Sequence, residues 1–292
     1  MLKKAHLKIY TILFFILVPL IFLGCKKSTE MSFNSNFNTS KERVWIGPEY
    51  WSNPLQDWQI KDGELQCLVS NRNRNVHLLT KKLDSIKGTL KMSVEFKLHQ
   101  IIDTDSLENW VGFSIGSKGE FNDYRDNAVF GKGLDIGITT NGHLFIGDID
   151  ISKTPNANIQ KTLLKGAMLD LVVSPSKHGY QIDFSLKNKE SKEVIQKIEQ
   201  KIDNSQNLEG DVVLVSHYNT EGSDPRRLEK SVSFKNWQVS GSKVSTHNEF
   251  VFGPILFSQY TLSRNTLKLT AQMAPVILSD EKVYLEIKDG SS

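Results

Sequence analysis

The sequence predicts an all-β protein, a two-sheet antiparallel sandwich of jelly-roll type. Three observations carry that expectation. Apolar and polar residues alternate with a period of two over much of the chain, as in TLKMSVEFKLH, where Leu90, Met92, Val94, Phe96 and Leu98 face one way and Lys91, Ser93, Glu95, Lys97 and His99 the other. Turn signals such as Asp62-Gly63, Asn141-Gly142 and His178-Gly179 separate these runs at short spacing. No helical segment recurs and no repeat of roughly 20–50 residues is visible, which argues against helix-covered sheets and propellers.

The elements follow in order. MLKKAHLK is a basic start and IYTILFFILVPLIFLG an apolar run, together the pattern of an export signal. The run is short beside the roughly 20 residues that span a bilayer. Gly24 directly before Cys25 resembles the lipobox of bacterial lipoproteins, so residues 1–24 are expected to be removed and Cys25 lipidated. The chain would then sit in the cell envelope, held to a membrane by lipid. Cys67 is the second of two cysteines and has no intramolecular partner; within GELQCLVS it reads as a buried, inert thiol.

Residues 25–43 are polar and lack apolar period, as a flexible tether does. The sandwich is expected over 44–245, with about ten to twelve strands. LDIGI turns through Asn141-Gly142, a two-residue hairpin signal, into HLFIGDI, and YQIDFSL, DVVLVSHY and SVSFKNW add further strands. SKEVIQKIEQKI suits either a helix or a strand with Val194, Ile198 and Ile202 on one face; pairing back onto YQIDFSL fits the surroundings better. Residues 250–292 read as the incomplete start of a second small β-domain, with VYLEIKDGSS as a strand lacking its partners.

Charge narrows the function. Lys3, Lys4 and Lys8 lie in the export segment, and without them the 36 basic residues fall to 33, against 33 acidic ones. A balanced chain has no electrostatic footprint for nucleic acid. The seven histidines show no ligand pair of the H-x-H or HExxH kind, and no G-x-S-x-G elbow is present. Gly131 and Gly133 open a strand, unlike a phosphate loop. A jelly-roll glycan hydrolase or lyase would need paired acidic groups on one sheet face. The E-x-D-x-x-E pattern is absent, Asp148-Ile149-Asp150 reads as a solvated hairpin edge, and no catalytic residue is assigned.

Two clusters point to binding. In GEFNDYRDN, Glu120, Asp123, Asp126 and Asn127 gather oxygen ligands in a turn, which suits a calcium ion or plain turn chemistry. WIGPEYWSNPLQDW sets Trp45, Tyr50, Trp51 and Trp58 within 14 residues, and NRNRN follows. Aromatic faces stack on sugar rings and arginine forks bind anions. Trp58 and Trp237 read as core, whereas Tyr50, Trp51, Arg72 and Arg74 flank turns and are candidate ligand contacts.

WIGPEYWSNPLQDWQIKDGELQC, NRNVHLLT and GKGLDIGITTNGHLFIGD resemble a lamin-G or concanavalin-like jelly roll at the front of bacterial alkaline phosphatase D-type (PhoD-like) metallophosphoesterases. The resemblance runs on through FKNWQVSG into FGPILFSQYTLSRNTLKLTAQMAP, and spans residues 44–289. It implies a non-catalytic accessory region of an exported, lipid-anchored phosphatase, contacting a glycan or envelope polymer. The metal-holding residues of such an enzyme have no counterpart here and would belong to a phosphoesterase domain beyond residue 292. A freestanding carbohydrate-binding surface lipoprotein is the first alternative, and a jelly-roll glycan hydrolase or lyase the second.

Overall fold

The structure, a computed structural model, describes residues 32–101, 108–121, 123–203, 208–219, 229–275 and 283–287. The export segment, Cys25 and residues 26–31 lie outside the described residues. Two antiparallel sheets form a sandwich, as the alternation predicts. The first sheet runs β12 (Val194–Asp203), β11 (Gly179–Lys187), β10 (Ala167–Ser176), β6 (Leu90–Leu98), β14 (Val232–Ser240), β4 (Glu64–Cys67) and β3 (Trp58–Lys61), with β1 (Ser32–Asn34) also on β14. The second runs β15 (Val244–Thr246), β5 (Arg74–Leu83), β13 (Gly210–His217), β7 (Trp110–Lys118), β8 (Lys132–Thr139) and β9 (Leu144–Ile146), with β2 (Tyr50–Asn53) on β5. Hairpins join β3–β4, β10–β11–β12 and β7–β8–β9, while β6–β14, β14–β4, β5–β13 and β13–β7 pair strands far apart in sequence, so the chain crosses repeatedly between the sheets.

The core lies between the sheets because each strand turns alternate residues inward. On β6, Leu90, Met92, Val94, Phe96 and Leu98 are buried while Lys91 and Lys97 are exposed. Phe113 of β7 meets Phe184 of β11 edge-on across the gap, with ring centroids 6.3 Å apart. Burying each such side chain contributes on the order of 1.5–3 kcal/mol. Trp58 and Trp237 are fully buried, as read from the sequence. Cys67 is buried too, and burial pushes its thiol up to about 11.

The ambiguous SKEVIQKIEQKI is a strand. It is β12, and pairs antiparallel with β11 over nearly its whole length. Its Ile198 packs on the core and Ile202 is buried, while Lys197, Glu199 and Lys201 face out along a sheet edge, where charge discourages pairing with other chains.

Two expectations need correction. The sandwich begins before residue 44. Phe33 and Phe37 are buried in the core and β1 pairs with Ser240, Val239 and Gln238, so most of the expected tether is folded. A strand of three residues is too short for its alternation to show. Asn141-Gly142 is not a two-residue turn: Gly142 N donates to Thr139 O, Thr139 N donates to His143 O, and Gly142 has φ +89°, a three-residue connection with glycine in the left-handed position. Residues 283–287 pair with no described strand, so the expectation of a strand without partners stays untested there. Two short helices also appear, α1 (Tyr124–Phe130) and α2 (Ala157–Lys165), capped by Asp123 and Asn156. Neither is long and apolar enough to cross a membrane.

FGPILFSQYTLSRNTLKLTAQM folds as a hairpin apart from both sheets, β16 (Ile255–Ser263) and β17 (Thr266–Met273). Arg264 and Asn265 both have positive φ, as a two-residue hairpin turn requires. Tyr260 opposes Leu269 and Leu262 opposes Leu267 on one face, and all four are exposed.

Candidate functional site

The two outer faces of the sandwich differ in chemistry. On the first sheet, Lys187 pairs with Asp170, Lys197 lies 3.0 Å from Asp183, and Lys192 lies 3.1 Å from Glu95. That is a solvated, salt-bridged surface. The second sheet instead carries a small apolar cluster outside the core: Trp110, Phe145, Val213 and Val215. All four are buried, so this cluster is covered by its neighbours, and only the edges of Trp110, Val213 and Val215 reach the cleft above them.

Strand register sets the floor of this region in rows. His77, Val213, Ser114 and Asp135 oppose one another across β5, β13, β7 and β8. One row along stand Asn75, Val215, Gly112 and Gly137, then Phe145 of β9. Next come His217 and Trp110, with rings near-parallel at 15° and centroids 6.1 Å apart. Gly137 is a requirement of this packing. A Cβ there would lie 2.8 Å from the Trp110 ring and 3.1 Å from that of Phe145. Without side chains at 112 and 137, the two rings settle edge-to-face over the strands, centroids 5.2 Å apart.

Helix α1 and the turn after it wall one side of the floor. The result is a groove of about 490 Å³ lined by Asn73, Asn75, Ser114, Asp135, Trp110 and His217, with Val129, Phe130 and Lys132 along the wall. The wall is held from below. Asp211, with no exposed surface, accepts from His77 Nδ1 at 3.0 Å and from Asn127 Nδ2 of α1 at 3.3 Å, and pairs with Lys82 Nζ at 3.2 Å. Three donors satisfy a carboxylate that would otherwise be costly to bury.

Two groups in the groove have displaced titration. Burial raises Asp135 above the ordinary carboxylate value, opposed by a hydrogen bond from Ser114. Burial lowers His217, and the charge of Arg72 pushes the same way against that of Glu108. At neutral pH the floor thus offers a neutral imidazole, a partly desolvated carboxylate and side-chain amides. Such groups exchange hydrogen bonds with hydroxyls, and the aromatic and valine faces between them suit the apolar face of a ring.

The residues singled out from the sequence are dispersed. Tyr50 is a correction: only 1% exposed, it packs among Phe33, Phe37 and Trp237 in the core and is closed to ligand. The inward phase of β2 decides this. Trp51 points outward, packs against Phe252 with centroids 4.5 Å apart and the rings tilted by 51°, and donates from Nε1 to Asn53 Oδ1 at 2.8 Å. Asn53 in turn donates to Asn75 Oδ1 at 2.9 Å, so Trp51 orients a groove residue without lining the groove. Arg74 turns away: its Nε and Nη2 hold Asp57 Oδ2 at 2.9 and 2.7 Å. Arg72 is exposed at the His217 end.

The calcium candidates do not converge. Asp123 caps α1 and is held below the ordinary carboxylate value by Arg125, and Asp126 accepts from Phe121 N at 2.9 Å. Asn127 faces inward to Gly119 N and Asp211, while Glu120 is exposed. Among the described residues no cluster of three or more His, Cys, Asp or Glu side chains is arranged to hold a metal.

Sequence reasoning missed Asn75, Trp110, Ser114, Asp135 and His217 because they come from four strands distant in the chain. One signal was present: DVVLV is apolar at successive positions, so β13 has an apolar residue on both faces.

No family model matches the chain, and no curated protein does. Among solved structures it is similar to arcelin-5, a lectin-like defense protein from Phaseolus vulgaris, at 12% identity and a TM-score of 0.46, covering 74% of this chain and 99% of that one. Lectin I from Ulex europaeus, in complex with the methyl glycoside of α-L-fucose, has 15% identity and a TM-score of 0.47, with 74% and 99% covered. The alginate lyase Aly36B has 13% identity and a TM-score of 0.42, covering 71% of this chain and 96% of that one. At such values the likenesses leave function open. The jelly-roll assignment rests on the sheets described above.

Proposed function

We propose that this chain is a non-catalytic glycan-binding module that works through the groove on the outer face of the second sheet. The observation that carries the reading is the composition of that face. An aromatic and valine floor is interleaved with Asn75, Ser114, Asp135 and His217, in a groove large enough for a sugar ring. The opposite face also carries a cleft, of about 330 Å³, but charged side chains such as Glu64, Glu95, Lys97, Lys189, Glu190 and Lys235 dominate its lining. Isothermal titration of the intact chain against a panel of polysaccharides tests the reading, and uniformly flat titrations dispose of it.

The module is the accessory region of an exported, lipid-anchored, PhoD-like phosphatase, which it brings to an envelope polymer. Support comes from the GPILFSQYTLSR resemblance and from the exposed apolar face of the β16–β17 hairpin, which a further domain would cover. Reading the encoding locus beyond codon 292 tests this part: a metal-binding phosphoesterase frame there supports it, and unrelated sequence sinks it. A freestanding binding protein is the second reading, favoured by the completeness of the sandwich, whose core is closed without the hairpin.

A further inference from the structure

Phe130 stands at the end of α1 with 72% of its surface exposed, and it lines two clefts at once. One is the groove on the sheet. The other, of about 520 Å³, lies on the far side of the helix exit and ends at Phe121, itself 68% exposed. Lys132 also borders both. We propose that the two clefts form one extended site for a neutral, hydroxyl-rich glycan chain of several residues, with Phe130 stacking on the sugar at the junction and Phe121 on one further along. The inference rests on the glycan reading of the groove and adds to it the length and charge of the ligand.

Three observations support it. The groove is long: Trp110 and Ser117 both line it, and allowing for the bulge at Gly116 their separation along β7 is about 20 Å at the rise of a strand. One sugar ring would leave most of that length empty. Phe121 and Phe130 are also the most exposed phenylalanines among the described residues, and both flank the same cleft. Exposed rings beside polar groups are how a protein presents a flat apolar face to a partly apolar ligand. Charge gives the class of chain. Lys118 is paired with Glu209 at 2.8 Å, and Glu120, Asp126 and Asp135 outweigh Lys132 in the joined site. A polyanion would meet no cationic track, so the chain is uncharged.

The test is titration of the intact protein with neutral gluco-, xylo- and manno-oligosaccharides from monomer to hexamer, with an oligouronate of matched length beside them. Affinity is expected to rise about tenfold or more from monomer to tetramer in one neutral series, equivalent to about 1.4 kcal/mol. Phe130→Ala should abolish that gain, and Phe121→Ala should remove part of it. Both side chains are exposed, and unchanged denaturation midpoints would show the fold intact. Affinity independent of chain length, or a Phe130→Ala variant that follows the parent, overturns the extended site while the glycan reading stands. Tighter binding of the oligouronate overturns the neutral assignment. Absence of binding in every series sinks the glycan reading and this inference together.

Discussion

Asp211 ties the groove wall to the sheet, and its three donors come from β5 and α1. Removing one partner from such a buried set leaves uncompensated charge, so Asp211→Ala is expected to destabilise the protein by about 3–5 kcal/mol in denaturant unfolding. Gly137→Ala should cost roughly 1–3 kcal/mol by overpacking against Trp110 and Phe145, with a change in tryptophan emission that reports the displaced ring. His217 adds a pH dependence. Its folded pKa is lowered, so the unfolded chain binds the proton more readily, and stability falls as pH drops below the ordinary histidine value of 6.5. His217→Gln should flatten that part of a stability-versus-pH curve, and an unchanged slope would remove His217 as its source. At this scale the sequence is only partly readable. Trp58 and Trp237 can be read as core because apolar neighbours alternate around them. Tyr50 and Trp51 are adjacent in the chain, and only the phase of β2 on β5 decides which of them turns inward.

Among the elements, the long strands were legible and the short ones mostly were not. β6 and β10 carry nine and ten residues, enough for a period of two to stand out, whereas β1 and β15 have three each; β9, equally short, was legible through the turn signal before it. Helix α1 escaped notice for the same reason: seven residues hold too few turns for a helical period. Its acidic residues suggested an ion site, but capping and turn contacts occupy Asp123 and Asp126. The β16–β17 hairpin could be recognised as separate from the sandwich by its sequence, and its exposed face explains why it reads as unfinished. Tyr260, Leu262, Leu267 and Leu269 contribute little to the sandwich, so changing all four to serine should shift each site's stability term by no more than about 0.5 kcal/mol. A loss of several kcal/mol in urea unfolding would mean that the hairpin buries this face in solution.

For the molecule as a whole, alternation and turn spacing were sufficient to predict two packed antiparallel sheets, since a sandwich core needs only one apolar face per strand. The groove was not predictable in the same way. It is assembled by register across β5, β13, β7 and β8, and no spacing along the chain encodes which residues of separate strands become neighbours. On the non-catalytic reading proposed above, the intact chain is expected to leave p-nitrophenyl phosphate unhydrolysed with or without divalent metal. Metal-dependent turnover would contradict the non-catalytic reading. The most direct test of the central claim is affinity electrophoresis of the intact chain through gels containing neutral polysaccharides, run beside a double variant, Asn75→Ala with Asp135→Ala. The account expects at least one polysaccharide to retard the parent protein and to lose that effect on the variant, with both unfolding at similar denaturant concentrations. Equal retardation of the two proteins, or free migration of both through every gel, would contradict it.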